Sequence, residues 1–237
     1  GQDIPVLLNQ TPSTVVTSDA GAGVGYTGIR IRGSDPTRVN VTINGIPVND
    51  AESQGVFWVN MPDFISSVDN MQIQRGIGSS TNGAGAFGAS LNMKTGDIRE
   101  NAYGKLSNSG GSFNTFKNTI ELGTGLIEQG EALWSLDGRL SNIQSDGYID
   151  RASSDLQSYY LSGSFLKGNT SIKAFAFGGT ERTYQSWYGT PESRVEGDEE
   201  AMQEFICRNF LSSKDSANLI NSGRTYNYYT YEDQVDN

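Results

Sequence analysis

Five strand-length runs in the second half of the chain alternate in polarity, at residues 101–110, 115–126, 132–143, 157–166 and 171–183. In the second run Phe116, Ile120 and Leu122 fall on one side, with Lys117, Thr119 and Glu121 on the other. In the third, Trp134, Leu136 and Leu140 oppose Ser135, Asp137, Arg139 and Ser141. Tyr159, Leu161 and Phe165 oppose Tyr160, Ser162 and Ser164 in the fourth, and the fifth carries Phe175 and Phe177 on one face. A period of two places successive side chains on opposite faces of a strand. Short turns join the runs at one end and longer connections, such as residues 145–155, at the other. Two architectures accept this pattern. In a soluble sandwich a second sheet covers the apolar faces. In a transmembrane barrel they meet lipid, and the polar faces line a wet lumen.

Composition narrows the chemistry. The chain has 237 residues, no histidine and one cysteine, Cys207. That removes Ser-His-Asp and Cys-His nucleophile systems, His-ligated zinc and an internal disulfide framework. A net charge of −10 has the wrong sign for a nucleic-acid partner. From Glu192 onward there are ten acids against four bases, so this last fifth reads as a solvated segment. Within it, residues 198–210 suit one helix, capped by Asp198, with Met202, Phe205, Ile206 and Asn209 at helical spacing and Cys207 expected to be buried and inert beside them. No apolar run reaches the roughly 18 residues a membrane helix needs, and Gly1 does not open a signal peptide.

The first hundred residues have a different texture. Residues 14–17 read as a strand and 18–28 as a glycine-rich loop bearing Tyr26. Residues 29–33, a turn at 34–37, residues 39–43 and the hairpin signal Asn44-Gly45 before Ile46 read as one small antiparallel unit. Residues 75–96 pass from one alternating run through a dense series of glycines and alanines into another. Gly83 to Gly88 matches G-x-G-x-x-G. Residues 90–95, directly beyond it, alternate as a strand instead of opening a helix, so a dinucleotide site is not expected.

Residues 29–50 and 68–96 together resemble the two signature blocks of the plug domain of TonB-dependent outer-membrane receptors. The matching residues are Ile31-Arg32-Gly33, the strand ending at Asn44-Gly45-Ile46-Pro47, Arg75-Gly76, Ser79, Gly83, Ala86, Ala89 and the run from Leu91 to Thr95. Ile77 stands where the family usually has proline, and Asn44 where aspartate is common. The wording of residues 18–33 resembles the Bacteroidetes branch of the family.

The resemblance implies a mainly β chain, with a small α+β plug domain over residues 1–97. Residues 98–237 would then be the N-terminal part of an antiparallel outer-membrane β-barrel, five strands followed by a long extracellular loop. Five strands cannot close such a barrel, and an open edge cannot sit in lipid, so the chain reads as a fragment. The implied protein is a receptor in the bacterial outer membrane that binds a scarce solute and imports it to the periplasm. Its energy would come from TonB with ExbB and ExbD, through a segment upstream of this chain. The solute would be a siderophore, haem, cobalamin or an oligosaccharide; outer-membrane lipid is the other implied partner, and no cofactor, metal or catalytic group is expected.

A plug that seals yet moves when pulled is expected to be held by polar and ionic contacts instead of a greasy core. Arg30, Arg32 and Arg75 suit that role, because guanidinium forks pair with lumen-facing carboxylates. Substrate contacts in the family come from apical plug loops, which points to Tyr26, Asp50, Glu52, Gln54, Phe57 and Trp58. For Phe57 and Trp58 a core role is the equal alternative. The rival class is a secreted, soluble β-rich adhesin or glycan-binding module using Trp58, Trp134 and Trp187 as stacking platforms. A glycosidase built on Asp137 and Glu121 is third, and no spacing singles those carboxylates out.

Overall fold

The structure is a computed structural model that describes residues 3–77 and 87–230, and the backbone of 235–236. The chain begins with a short helix α1 (Ile4–Leu7), then strand β1 (Thr14–Ser18), which pairs antiparallel with β2 (Thr27–Ile31). After β2 the chain does not continue into the antiparallel unit expected from sequence. Pro36–Arg38 form a 3₁₀ turn capped by the Asp35 carboxylate, which accepts from Thr37 N at 3.0 Å. That turn carries the chain into a second sheet, of order β4-β3-β6-β5. There β3 (Val39–Ile43) runs parallel to β6 (Ala89–Thr95), which is antiparallel to β5 (Val68–Arg75). All five residues of β3 are buried, as a central strand covered on both faces should be. Asn44 and Gly45, with φ of 52° and 84°, turn β3 into β4 (Ile46–Pro47), the left-handed pair that an Asn-Gly hairpin requires.

The glycine-rich residues 78–86, with Ser79, Gly83 and Ala86 of the signature block and most of the G-x-G-x-x-G match, lie outside the described residues. The segment after them is strand β6.

Beyond residue 100 the strands are β7 (Tyr103–Gly111), β8 (Thr115–Gly123), β9 (Ile127–Gln129), β10 (Ala132–Ser145), β11 (Ser154–Lys167), β12 (Thr170–Thr183) and β13 (Val235–Asp236). They form one antiparallel sheet, β13-β12-β11-β10-β8-β7, with β9 beside β10. The tight turns at 130–131 and 168–169 lie at one end. Residues 112–114, 146–153 and the long excursion after Thr183 lie at the other. Among the described residues the long excursion holds three α-helices, α2 (Glu192–Glu196), α3 (Glu199–Arg208) and α4 (Ser213–Asn221), where the sequence suggested one. Helix α3 is capped as expected, Asp198 accepting from Ala201 N at 3.0 Å. Cys207, expected to be buried, is exposed. Five residues beyond buried Met202 it has turned off the helix face that packs on Leu219 and Tyr226.

The two faces of the large sheet differ as the alternation requires. Leu106, Ile120, Leu122, Leu136, Leu140 and Leu161 are exposed, whereas Thr119, Glu121, Arg139, Ser141 and Ser158 are buried beneath the first domain. Strand β12 departs from the expected pattern. Phe175 and Phe177, grouped above with the outward apolar residues, sit opposite Ser162 and Tyr160 and therefore face inward. They pack on the core built around Ile31, Val41, Phe64, Leu91 and Met93. The outward positions of β12 hold Ile172 and then small residues, Ala174, Ala176 and Gly178.

Candidate functional site

The inward face of β7, β8, β10 and β11 carries a row of small side chains, Ser107, Thr119, Ser141 and Ser158, ending at Gly179 on β12. Residues 58–67 of the first domain dock into this trough as two 3₁₀ turns, Trp58–Asn60 and Phe64–Ser67. Pro62 lies over Gly179: a Cβ added there would stand 3.1 Å from Pro62 Cγ and 2.3 Å from the Gln157 carbonyl oxygen. Only glycine admits the Gln157 carbonyl and the Pro62 ring at those distances.

Asp63 lies at the bottom of the trough with its side chain 1% exposed. It takes a left-handed backbone, φ 52°. Its Oδ2 accepts from Arg139 Nη1 at 3.0 Å, Ser141 Oγ at 2.5 Å and Thr119 Oγ1 at 3.1 Å. Its Oδ1 accepts from Ser66 Oγ at 2.7 Å and from Lys117 Nζ. Arg139 Nε also donates to Ser67 Oγ at 2.7 Å. Burial alone would raise the Asp63 pKa. The Lys117 charge and the hydrogen bonds from Lys117, Ser141 and Ser66 outweigh it and hold the carboxylate below its ordinary range.

A second attachment lies at the end of β6. Thr95 Oγ1 accepts from Tyr160 Oη at 2.7 Å and from Asn44 Nδ2 at 2.8 Å, while Lys173 Nζ donates to the Thr95 carbonyl. Between the two attachments the contact is apolar. Phe64 meets Phe177 at 4.9 Å and Tyr160 at 6.3 Å between ring centroids. The expectation of a purely polar seat is therefore corrected. The inward rings of β11 and β12, Tyr160, Phe175 and Phe177, complete the core around Phe64.

At the loop end, residues 19–26 meet the outer connections. Tyr148 N donates to the Ala20 carbonyl at 2.8 Å, and Val24 is fully buried with Ile143 and Leu156. Tyr26 meets Trp187 edge-on at 5.2 Å, and Trp187 continues to Tyr229 at 6.3 Å. Tyr188 stacks on Tyr228 at 4.5 Å. This ring series joins the first domain to the long excursion; of its excursion members only Trp187 was named from sequence, as a stacking platform of the rival module, and Tyr188, Tyr228 and Tyr229 were not singled out. Their clustered spacing, Trp187-Tyr188 and Tyr228-Tyr229, was the available signal.

Asp50, Glu52, Gln54 and Phe57 are exposed on one loop. The Asp50 carboxylate accepts from the backbone of Ser53 and Glu52, which holds its pKa below the ordinary value. Trp58 is only 5% exposed and belongs to the core, which corrects its assignment as a binding residue. It is the first residue of the docking turns. Arg30, Arg32 and Arg75 are exposed, with Arg75 Nη1 donating to the Pro12 carbonyl at 2.9 Å. Among the described residues, the ion pairs between the first domain and the sheet run from Asp63, which carries no signal in the sequence pattern. The polarity is inverted from expectation: the acid is on the domain and the bases are on the strands.

The features of the rival readings are dispersed. Trp58 is in the core, Trp134 is on the outward face beside Phe165, and Trp187 is in the ring series. Glu121 pairs with Lys105 at 2.9 Å, and Asp137 accepts from Tyr103 Oη at 3.0 Å. No helix among the described residues is long and apolar enough to cross a membrane, which leaves crossing by strands open.

A small mixed domain seated on the polar face of a sheet with an apolar outer face is the arrangement of a plugged barrel. Residues 1–90 match the family model "TonB-dependent Receptor Plug Domain", so the first part of the chain is a plug domain of that family. The metal-pseudopaline receptor CntO of Pseudomonas aeruginosa is 30% identical over 95 residues, which are 40% of this chain and 13% of that protein. The ferric-catecholate import receptor Fiu of Escherichia coli superposes with a TM-score of 0.67 at 18% identity, covering 100% of this chain and 32% of that one. The pyoverdine outer membrane receptor FpvA of Pseudomonas aeruginosa, bound to pyoverdine, gives 0.62 at 17%, covering 77% and 26%. The solved structures share the fold of plug and barrel strands, and the chain spans about a third or less of each relative's length. The Pseudomonas relative gives no support to the Bacteroidetes branch.

Proposed function

We propose that the chain is part of a TonB-dependent outer-membrane receptor that captures a scarce solute at the cell surface and imports it to the periplasm. In this reading residues 1–97 are the plug and residues 98–237 the first part of the barrel and a long extracellular loop. The observation that carries the proposal is the plug-type domain held by Asp63 on the polar face of a sheet whose outer face is apolar. A barrel of about 22 strands is wide enough to leak, so a seated plug has a physical purpose.

Energy comes from TonB with ExbB and ExbD, engaging a segment upstream of these residues. Tyr26, Asp50, Glu52, Gln54 and Phe57 contact the solute, and Arg30, Arg32 and Arg75 pair with carboxylates on further strands. A metal chelate is the favoured solute class, because the relatives are named for pyoverdine, metal-pseudopaline and ferric catecholates. Haem, cobalamin and oligosaccharides belong in the same assay.

The test is uptake of radiolabelled solutes by cells carrying the full-length gene, its deletion, and a deletion of tonB. Uptake lost in both deletions supports the proposal. Uptake that survives loss of TonB sinks its energetic half, and a gene product recovered without detergent from the soluble fraction sinks the receptor.

A further inference from the structure

The outward face of the large sheet is layered, and one layer is composed of amides. Cross-strand pairing places Asn108, Asn118, Asn142, Gln157 and Thr180 in a single row across five strands. The row below it is Leu106, Ile120, Leu140 and Tyr159, ending at Gly178. Tyr159 leans across Gly178, where an added Cβ would stand 3.0 Å from its hydroxyl. Asn118, Asn142, Gln157 and Thr180 of the first row and Leu106, Ile120, Leu140 and Tyr159 of the second line an open concavity of about 800 Å³.

The layering has the scale of a bilayer. On β10 the outward positions run from Ala132, in a row with Lys167 and Thr170, to Asn142. The ten steps between them span ~33 Å of strand. A tilt of ~40° reduces this to ~25 Å, the height of the apolar band on outer-membrane barrels. Trp134 and Phe165, 4.6 Å apart, occupy the first row inside one boundary, where interfacial aromatics are enriched. Tyr159 occupies the last row inside the other.

We infer that this concavity is a lipid site: it seats one membrane lipid, its acyl chains over Leu106, Ile120 and Leu140 and its headgroup on the row from Asn118 to Thr180. The row holds no charged residue. Primary amides and a hydroxyl both donate and accept, which complements the hydroxyls of a glycosyl headgroup better than a phosphate, whose oxygens only accept. Ligand and site would then exchange hydrogen bonds in both directions at the edge of the hydrocarbon, where unpaired amides are costly.

The inference rests on the lipid-facing reading of the sheet, and the experiment separates the two. The full-length receptor is placed in nanodiscs of phosphatidylglycerol with or without a diglycosyl diacylglycerol. The diglycosyl lipid should raise Tm by several degrees and stay bound in native mass spectra. The triple variant Asn118→Leu, Asn142→Leu, Gln157→Leu should lose both effects. No rise for the unmodified receptor, or a rise that survives the triple variant, overturns the site. Should the triple variant not fold, the single variants Asn142→Leu and Gln157→Leu are read the same way. A Leu140→Cys variant carrying an environment-sensitive fluorophore serves as depth reporter. Quenching of it by brominated acyl chains without any glycolipid effect removes the site alone, whereas no quenching in any nanodisc removes the membrane reading as well.

Discussion

Asp63 Oδ2 lies 3.0 Å from Arg139 Nη1, with both side chains almost wholly removed from solvent. Their residues are 76 positions apart, one on a plug turn and the other on the barrel wall. Replacing Asp63 by alanine strands Arg139 and Lys117 as buried cations. Breaking such a pair from one side costs roughly 3–5 kcal/mol. Asp63→Ala should therefore loosen the plug without unfolding the barrel. Protease sensitivity of the plug and leakage of a bulky antibiotic into cells check this; a variant as tight as the parent would show that the apolar contacts alone suffice.

The pH dependence has two opposing parts. Asp63 titrates below its ordinary value of 3.8, so its contribution to docking is complete above that pH and is lost as pH falls through the lower folded value. Asp3 behaves oppositely. Burial, helped by repulsion from Asp63 and Glu181 and opposed by the Thr27 hydrogen bond, raises it from 3.8 to about 8. The folded plug then keeps a proton that the unfolded chain releases, and stability declines as pH rises from 3.8 towards 8. Asp3→Asn should be more stable than the parent at pH ~8 and nearly equal to it near pH ~4. Thermal melts of the full-length receptor across that range provide the comparison.

Neighbouring aromatics at 57 and 58 should give opposite phenotypes. Trp58 is 5% exposed and Phe57 53%. Truncating a buried aromatic to alanine costs about 3–5 kcal/mol, whereas an exposed one is nearly free. Trp58→Ala should lower stability, and Phe57→Ala should weaken solute binding at unchanged Tm. A Phe57→Ala receptor with full affinity would remove Phe57 from the binding surface.

Asn44 combines a left-handed backbone with two hydrogen bonds to Thr95: it accepts from Thr95 N at 3.0 Å and donates to Thr95 Oγ1 at 2.8 Å. Asn44→Gly removes the bonds and keeps the conformation. Asn44→Ala removes both, and should be the less stable by roughly 1–2 kcal/mol, the cost of a left-handed Cβ. Equal melting of the two variants would mean that the turn relaxes.

Much of the architecture could be read from alternation alone. The barrel strands fell within a few residues of their expected bounds, because an apolar outer face and a polar face against the plug impose a strict period of two. The failures occurred where tertiary partners override local pattern. Strand β3 pairs with β6, distant in sequence, because only another apolar strand can cover it. Phe175 and Phe177 face inward because the plug needs them, and no local signal reports which face of a strand meets a plug. Asp63 was missed for a similar reason: a single acid between proline and phenylalanine looks like a turn residue until the wall supplies Lys117 and Arg139. Helix α4 did leave a trace, Ser212 with Asp215 three residues on, where the hydroxyl accepts from Asp215 N at 3.2 Å.

Phe64 is roofed by Tyr160 and Phe177, residues that a ribosome adds only after the whole plug has been made. A plug made before its wall therefore has an unfinished interior. The strands that follow find an apolar template already waiting. Assembly of the wall would begin around the stopper, instead of the stopper being fitted into a finished pore.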